Sequence, residues 1–263
     1  MAPYDLEGKG VLITGATDGL GRGLARAAAA AGGIVLVHGR SQERVEATLA
    51  ELPGARGYRA DLSSLEEVRR LAREVRDGET RLDVLVNNAG IGTGERELSR
   101  DGNELRFAVN YLAGFLLTRE LLPLLEASAP ARIVNVASAG QMPIDFDDVM
   151  LERDYSGVRA YCQSKLAQIM FTIELAGRLD GQELTVNALH PATYMPTKMV
   201  SSPISTLEEG VEATLRLVAD PELDGVSGRY FSGLREAAPD PQADDPQARR
   251  RLWELSEQLV GGA

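Results

Sequence analysis

Short apolar runs recur along the chain, and each is followed by a small or polar residue. Most of them are apolar throughout, which is typical of strands buried on both faces of a parallel sheet. The predicted strands are Gly10–Ile13, Ile34–His38, Gly57–Ala60, Asp83–Val86, Arg132–Val136, Leu184–Leu189 and Gly228–Phe231.

The stretches between these strands have the spacing and composition of helices. Helices are predicted from Arg22 to Ala31, from a capping box at Ser63–Glu66 to about Arg76, over Gly102–Leu125, over Ala160–Leu179, from a capping box at Thr206–Glu209 to Val218, and around Leu252 and Trp253. Strands that alternate with helices predict an α/β fold. We therefore expect one domain over residues 1–263, a Rossmann-type doubly wound parallel sheet with helices on both faces, and a C-terminal extension at 236–263.

Composition excludes several functional classes. The chain has 263 residues, of which 44% are hydrophobic, and this fits one soluble domain. A single cysteine, Cys162, excludes a disulfide framework, and two separated histidines, His38 and His190, do not suggest a metal centre. A net charge of −11 argues against a nucleic-acid or anionic-membrane surface. Without an apolar run of membrane length or a leader pattern, we expect a cytoplasmic protein.

A glycine-rich turn joins the first strand to the first helix. It runs from Thr14 to Gly21 and includes Gly15, Thr17, Asp18, Gly19 and Leu20. Glycines allow a tight turn and let the backbone approach a pyrophosphate at the helix N-terminus. Three glycines alone also fit a turn without a ligand. The strand before and the helix after favour nucleotide binding.

The end of the second strand bears on the choice of nucleotide. An NAD site usually has a carboxylate there to accept from the ribose hydroxyls. This chain has Gly39, Arg40 and Ser41 instead. The planar guanidinium of Arg40 could pair with a 2′-phosphate, which favours NADP(H) over NAD(H). The alternative is a solvated arginine beside a helix that Ser41 caps.

Polar residues follow three further strands. Asp61 and Leu62 follow the third, Asn88, Ala89 and Gly90 the fourth, and Ser138 the fifth. Ligands bind at the carboxyl ends of such strands, so Ser138 could bond a substrate carbonyl, or it could simply cap the next segment. Asn110 lies inside a predicted helix, where asparagine is an indifferent former, so it has either a special role or a helix-bending one.

Tyr161 and Lys165 lie four residues apart and share one face of a predicted helix. A phenol titrates near pH ~10 and is a poor acid or base at neutrality. An adjacent ammonium favours the phenolate and lowers that pKa, so the pair could exchange a proton with an alcohol oxygen. A surface tyrosine and lysine on an ordinary amphipathic helix would show the same spacing.

Two irregular segments are expected to shape a substrate pocket. The first, 141–160, is acidic, and the second, 194–205, has the hydroxyls and prolines of a mobile loop or lid. A third segment, Pro239–Pro246, is acidic and proline-rich, and we expect it to be loosely ordered.

In order and spacing these motifs resemble the short-chain dehydrogenase/reductase family across nearly the whole chain. The resemblance implies a catalytic tetrad of Asn110, Ser138, Tyr161 and Lys165. Tyr161 would be the acid in reduction or the base in oxidation, and Ser138 would hold the substrate oxygen. Lys165 would lower the Tyr161 pKa and bind ribose hydroxyls, and Asn110 would position a water.

The resemblance also implies a set of cofactor-binding residues. They are Gly15, Thr17, Asp18, Gly19, Leu20, Gly21, Arg40, Ser41, Asp61, Leu62, Asn88, Ala89, Gly90, Tyr161, Lys165, Pro191, Thr193 and Thr197. The family's usual Pro-Gly is replaced here by Pro191-Ala192. An added methyl group could narrow the pocket on the nicotinamide side.

A narrower resemblance is to the retinol-dehydrogenase-like branch, and it rests on the long Ser138–Tyr161 interval, Ala160–Ala167, Gly228–Phe231 and Leu252-Trp253. It implies an NADP(H)-dependent ketoreductase or alcohol dehydrogenase for a hydrophobic ketone or secondary alcohol, and the composition would suit secondary metabolism. An epimerase or dehydratase with a retained cofactor, or a nucleotide-sensing binding protein, are the alternatives. Apolar Phe115, Leu116 and Phe171 fit either a homo-oligomer (dimer or tetramer) or core packing.

Overall fold

A computed structural model describes residues 4–179, 183–193, 195–196 and 202–261 of the chain. Its strands form one sheet in the order β3-β2-β1-β4-β5-β6-β7-β8, parallel except for an antiparallel edge between β7 and β8. The strands are β1 Gly10–Ile13, β2 Ile34–Gly39, β3 Arg56–Arg59, β4 Val84–Asn87, β5 Ala131–Val136, β6 Leu184–His190, β7 Tyr230–Ser232 and β8 Arg235–Glu236. The predicted fold class is confirmed, and every predicted strand is present within two residues; β8 was not predicted.

Seven α-helices lie in the described part of the chain. They are α1 Gly19–Ala30, α2 Gln42–Leu49, α3 Leu65–Gly78, α4 Ala113–Ala127, α5 Gly157–Arg178, α6 Leu207–Ala219 and α7 Pro246–Leu259. The apolar side chains form two cores: one collects residues of α3, α4, α5 and α7, and the other residues of α1, α2 and α6. Because strands contribute to both, the sheet is covered on both faces, as a doubly wound fold requires.

Four helix starts differ from the prediction, and two of these helices begin earlier: α1 at Gly19 instead of Arg22, and α5 at Gly157 instead of Ala160. Ser64, not Ser63, caps α3, because its Oγ accepts from Glu67 N. No capping box forms there, since the Glu67 carboxylate instead accepts from Asp61 N at 2.8 Å. Gly102 is not helical either: its φ of +82° places it in a turn, which glycine adopts without strain. The capping box predicted at Thr206 and Glu209 is confirmed.

The segment Pro239–Pro246 is not loosely ordered, so that prediction is wrong. It contains a 3₁₀ helix, Pro241–Asp244, in which Ala243 is fully buried. The acidic excursion after Ser138 has no regular structure, as predicted, yet Ile144 and Leu151 are buried within it. Local composition missed both features because the packing partners are distant in sequence.

The C-terminal helix α7 covers the face made by α4 and α5. The Trp253 ring lies 5.1 Å from the Phe115 ring and 6.0 Å from the Phe171 ring, between centroids, and Arg178 stacks on it at 3.9 Å. Phe115, Leu116 and Phe171 are therefore buried within one chain, and core packing accounts for their apolar character.

One helical stretch of the described residues, Phe107–Ala127, is long and apolar enough to cross a membrane by length and composition. Most of it is buried inside the domain, and core helices of soluble proteins pass the same test. The stretch is therefore weak evidence for a membrane span.

Candidate active site

The glycine-rich turn at the end of β1 is shaped by close approach of the backbone. Gly15 has φ of +67°, and a Cβ on Gly21 would lie 2.2 Å from the Gly15 carbonyl oxygen. Asp18 caps α1 by accepting from Gly19 N at 2.9 Å. Residues without a side chain are needed at this close approach, and such a turn before a helix is the form that binds a pyrophosphate.

The end of β4 is bound to the end of β1 through Asn88. Its Nδ2 donates to Thr14 O at 2.7 Å, and the backbone N–H groups of Asn88 and Ala89 donate to Thr14 Oγ1 at 2.9 and 3.0 Å. Gly90 follows, and a Cβ there would lie 3.3 Å from Asn110 Oδ1 and 3.5 Å from Lys165 Nζ. The structure thus brings the predicted cofactor segments and the predicted tetrad to one edge of the sheet.

His38, a buried residue that the motif reasoning passed over, also supports the turn. Its Nδ1 accepts from Gly15 N at 3.2 Å, and its Nε2 lies 3.2 Å from Ala60 O. The imidazole must then carry its proton on Nε2, and burial lowers its pKa to about 4. The sequence signal for this role was the position of His38 at a strand end, directly before Gly39 and Arg40.

We expect His38→Ala to cost about 1–3 kcal/mol of unfolding free energy at pH 7, because the partly buried Gly15 N–H and the buried Ala60 carbonyl lose a partner. The wild-type advantage should shrink as the pH falls from about 6.5 to about 4. In that interval the unfolded histidine binds a proton that the folded one refuses, so acid favours the unfolded chain. Urea denaturation of both proteins at pH 7 and pH 4.5 measures this. An equal difference at the two pH values would contradict it.

The end of β2 presents a basic surface. Arg40 is exposed, and Ser41 caps α2 by accepting from Arg44 N. Arg44, which the sequence reasoning did not single out, has its Nη1 3.4 Å from Asp18 Oδ2. A surface depression of about 140 Å³ between α1 and α2 is lined by Thr17, Asp18, Arg22, Arg44, Ala47 and Thr48.

Asp61 lies beside this basic surface at the end of β3, and Leu62 after it is buried. Burial raises the pKa of Asp61, but hydrogen bonds from Ser63 and the charges of Arg40 and Arg100 outweigh it, so the pKa is below its ordinary value. Asp61 is therefore ionised at neutral pH and available as an acceptor.

Ser138 and Tyr161 lie side by side, because a Cβ on Gly140 would be 3.5 Å from Ser138 Oγ and 3.8 Å from the Tyr161 ring. Ser138 Oγ also accepts from Gly140 N at 3.0 Å. Burial raises the pKa of Tyr161 and outweighs the lowering by Ser138, so the phenol is protonated at neutral pH. The expected lowering by Lys165 is not found, because the Lys165 Nζ lies 5.8 Å from the centre of the tyrosine ring and bonds elsewhere.

Lys165 is buried, and no carboxylate among the described residues pairs with it. Its Nζ donates to Val136 O at 2.8 Å and to Gln168 Oε1 at 2.9 Å. Burial lowers its pKa from 10.5 to about 7, so it loses its proton near neutrality. Gln168 was missed from the sequence, although its position one helical turn after Lys165 was a signal.

Asn110 lies in a π-helical turn, Phe107–Leu112, that precedes α4. Such turns are frequent at functional sites. Its Nδ2 donates to Ile91 O at 3.1 Å and to Ser164 Oγ at 2.9 Å, and its Oδ1 accepts from Ile91 N at 2.7 Å. Both amide protons are used, so Asn110 joins the loop after β4 to α5 and has only acceptor capacity left for a water.

The segment after β6 is less fully described. Pro191 is buried, Ala192 partly so, and the exposed Thr193 has its Oγ1 3.1 Å from His190 Nε2. Burial, and then the charge of Lys165, lower the pKa of His190, which places this histidine near the tetrad. Thr197 and part of the 194–205 segment lie outside the described residues. The described ranges contain no group of three or more residues suited to hold a metal.

A family model for short chain dehydrogenases matches residues 9–207. The chain belongs to this family. It is 42% identical to retinol dehydrogenase 13 of Mus musculus, over 97% of this chain and 85% of that protein, and 39% identical to retinol dehydrogenase 14 of Homo sapiens, over 98% and 88%. These identities place the chain in the retinol-dehydrogenase-like branch of the family.

Solved structures agree with this assignment. An uncharacterized protein of Mycobacterium paratuberculosis aligns with a TM-score of 0.85 and 32% identity over 98% of this chain and 96% of that one. The RhlG/NADP active-site complex of Pseudomonas aeruginosa aligns with a TM-score of 0.72 and 29% identity over 88% and 97%. This short-chain dehydrogenase is thus an oxidoreductase that acts on alcohol or carbonyl groups with a nicotinamide cofactor.

Proposed function

We propose that this enzyme interconverts a hydrophobic ketone and its secondary alcohol with NADP(H). The placement of the Ser138 hydroxyl and the Tyr161 ring side by side at Gly140 is the observation that supports it best. It puts a neutral phenol and a second hydroxyl beside one another, where both can reach a single carbonyl oxygen. Two hydroxyl donors on one developing oxyanion stabilise the transition state of reduction more than the ground state.

Each tetrad residue has a role that its contacts support. Tyr161 supplies the proton to the substrate oxygen in reduction, since burial keeps its phenol protonated. Ser138 holds the same oxygen in place. Lys165 replaces the Tyr161 proton, because its own pKa of about 7 allows proton exchange near neutrality. Asn110 fixes the start of α5 through Ser164 and retains an acceptor for a relay water.

The residues at the sheet edge fit a dinucleotide. The turn at Gly15 and Gly21 has no space for a Cβ, which is the form of a cradle that a pyrophosphate approaches closely. Asp61 and Leu62 would lie at the adenine edge, and Asn88 to Gly90 along the adenosine. Pro191 and Thr193 would lie along the nicotinamide. Thr197 would supply the hydroxyl nearest the nicotinamide carboxamide. When bound, the cofactor supplies or accepts the hydride.

The basic surface at the end of β2 supports NADP(H) over NAD(H). Arg40 is exposed where a carboxylate would stand in an NAD site, and Arg44 lines the adjoining depression. Two guanidinium groups suit a 2′-phosphate, which takes planar, bidentate contacts. The Pseudomonas aeruginosa relative, whose complex contains NADP, supports the same choice.

We expect Arg40→Ala to weaken NADPH binding by about 10- to 100-fold, the value of one charge-assisted hydrogen bond. NADH binding should change by less than about twofold, since NADH has no 2′-phosphate for the guanidinium to contact. Fluorescence titration of both cofactors measures this. Arg235→Ala, an exposed arginine on β8, is the charge-matched control. Equal losses for NADPH and NADH would contradict the assignment.

The two segments that are expected to shape the pocket support a hydrophobic substrate. Five large apolar side chains of the described residues are exposed, and three of them, Met142, Val158 and Ile204, lie in the segments 141–160 and 194–205. Exposed apolar residues that concentrate at a site mark binding surfaces. The relatives are named for retinol, which is a polyene alcohol, and this supports a hydrophobic substrate as the class.

The test is NADPH and NADH oxidation with aliphatic, aromatic and polycyclic ketones and with all-trans-retinal. Turnover with NADPH on a hydrophobic member supports the proposal. Cofactor binding without turnover of any carbonyl would favour the nucleotide-sensing alternative. Isomerised or dehydrated product without net NADPH use would favour an epimerase or dehydratase.

Location and assembly are part of the proposal. We propose a cytoplasmic enzyme, which the net charge of −11 and the burial of Phe107–Ala127 support. A homo-oligomer that paired through α4 and α5 would have to displace α7, because Trp253 packs on Phe115 and Phe171. We therefore propose a dimer or tetramer whose subunits pair through another face of the domain.

A further inference from the structure

The C-terminal part of the chain, beyond the family match at 9–207, returns to the segment that follows Ser138. Gln242, in the 3₁₀ helix Pro241–Asp244, pairs with both backbone groups of Ile144. Ile144 N donates to Gln242 Oε1 at 2.6 Å, and Gln242 Nε2 donates to Ile144 O at 3.0 Å. Ile144 is only 3% exposed, so these bonds are made away from most of the solvent.

A second contact continues to Ser138 itself. Asp240 N donates to Gln141 Oε1 at 2.7 Å, and Gln141 Nε2 donates to Ser138 O at 3.1 Å. Tyr230 on β7 donates its hydroxyl to the same carbonyl at 3.0 Å. A carbonyl oxygen has two lone pairs, and both lone pairs of the Ser138 carbonyl are thus engaged.

We infer that Gln141 and Gln242 are positioning residues through which the C-terminal extension fixes Ser138. The segment from Ser138 to Ile144 has no regular secondary structure, so no helix or strand determines its course. Gly140 N bonds Ser138 Oγ locally but does not tie the segment to the rest of the protein. The two glutamine amides supply that tie together with the Tyr230 hydroxyl on β7, and we expect them to keep the Ser138 hydroxyl beside Tyr161.

The inference rests on the proposed carbonyl chemistry, in which Ser138 holds the substrate oxygen. If the same bonds only kept the C-terminal extension packed on the domain, their loss would lower the melting temperature and leave the Tyr161 pKa unchanged. The extension has its own anchor in Trp253, which packs on Phe115 and Phe171. Loss of one glutamine should therefore leave α7 in place while it releases Ser138.

Two variants test the inference. Gln141→Glu keeps the acceptor for Asp240 N but removes the donor to Ser138 O, and Gln242→Ala removes both bonds to Ile144. We expect either change to lower kcat about 10- to 100-fold, the scale of a small misplacement of a catalytic group, with the Kd for NADPH within about twofold of wild type. Gln247→Ala, an exposed glutamine on α7, is the matched control and should change neither.

A second readout needs no turnover. Because the adjacent Ser138 side chain lowers the Tyr161 pKa, its displacement should raise that pKa further. Ultraviolet titration of the phenolates, with the Tyr161→Phe signal subtracted, isolates this group in wild type and in both variants.

The outcomes separate the inference from the proposed function. A higher Tyr161 pKa in Gln141→Glu and Gln242→Ala, but not in Gln247→Ala, supports the positioning role. An unchanged Tyr161 pKa with only a lower melting temperature overturns it, whatever the ketone panel gives. If the pKa shift appears but no carbonyl is turned over, the proposed function fails and the link to Ser138 stands.

Discussion

Tyr161→Phe should lower the turnover of any active ketone by about 10²- to 10⁴-fold, the range for loss of a general acid. The phenylalanine ring fills the same space but has no proton to give, and Ser138 alone remains to bind the oxygen. Steady-state kinetics with NADPH, together with the Kd for NADPH, measure the effect. The Kd should stay close to that of wild type, because the loss concerns the chemical step.

The pH dependence gives an independent check on Tyr161. Burial raises the pKa of this phenol, so reduction, which needs the protonated form, should persist into alkaline solution and fall only above that pKa. Oxidation needs the phenolate and should rise with pH over the same interval. Profiles of kcat/KM in both directions should therefore cross. A Tyr161→Phe enzyme that keeps a tenth of the wild-type kcat would assign the proton to another group.

Lys165→Met should abolish most of the activity, by about 10²-fold or more if Lys165 returns the proton to Tyr161. The same change should stabilise the protein at neutral and acidic pH. Lys165 is buried with no carboxylate partner in the part of the chain that the structure describes, and replacement of such a charge by an apolar side chain removes its desolvation cost. Urea denaturation across pH 6 to 10, beside kinetics, measures both effects.

The sign of the pH dependence follows from the lowered Lys165 pKa. Between about 7 and 10.5 the unfolded lysine holds a proton that the folded one has lost, so wild-type stability rises with pH in that interval. The advantage of Lys165→Met should thus be largest below pH 7 and shrink towards pH 10. Lys9→Met is the control: it removes the ion pair with Asp83 and should lower stability without loss of activity. A constant advantage for Lys165→Met would show that Lys165 does not titrate there.

The strand ends of this protein could be predicted because they depend on local pattern. In an α/β domain, a short apolar run that is followed by glycine, asparagine or serine indicates a buried strand and the residue at which it ends. The pattern therefore predicts Gly15, Asn88 and Ser138 at the carboxyl ends of strands, and in the structure the Asn88 side chain donates to the Gly15 carbonyl there.

Electrostatics could not be predicted in the same way. Four-residue spacing suggested that Lys165 lowers the Tyr161 pKa, but spacing on a helix does not determine where a flexible side chain ends. The ammonium instead bonds Val136 O and Gln168, and burial then dominates the pKa of both groups. Burial is a property of the packed chain, and no window of sequence contains it.

The sequence by itself determined the order of strands and helices and the glycine-rich turn, because each depends on neighbours within a few residues, and its resemblance to the family predicted the tetrad. Only the tertiary structure decided what holds that tetrad. Gln242 meets Ile144 across 98 residues, and Asn110 meets Ser164 across 54. Such contacts form only when distant segments are packed side by side, since a polar group buried by packing must take whichever partner the fold brings within reach.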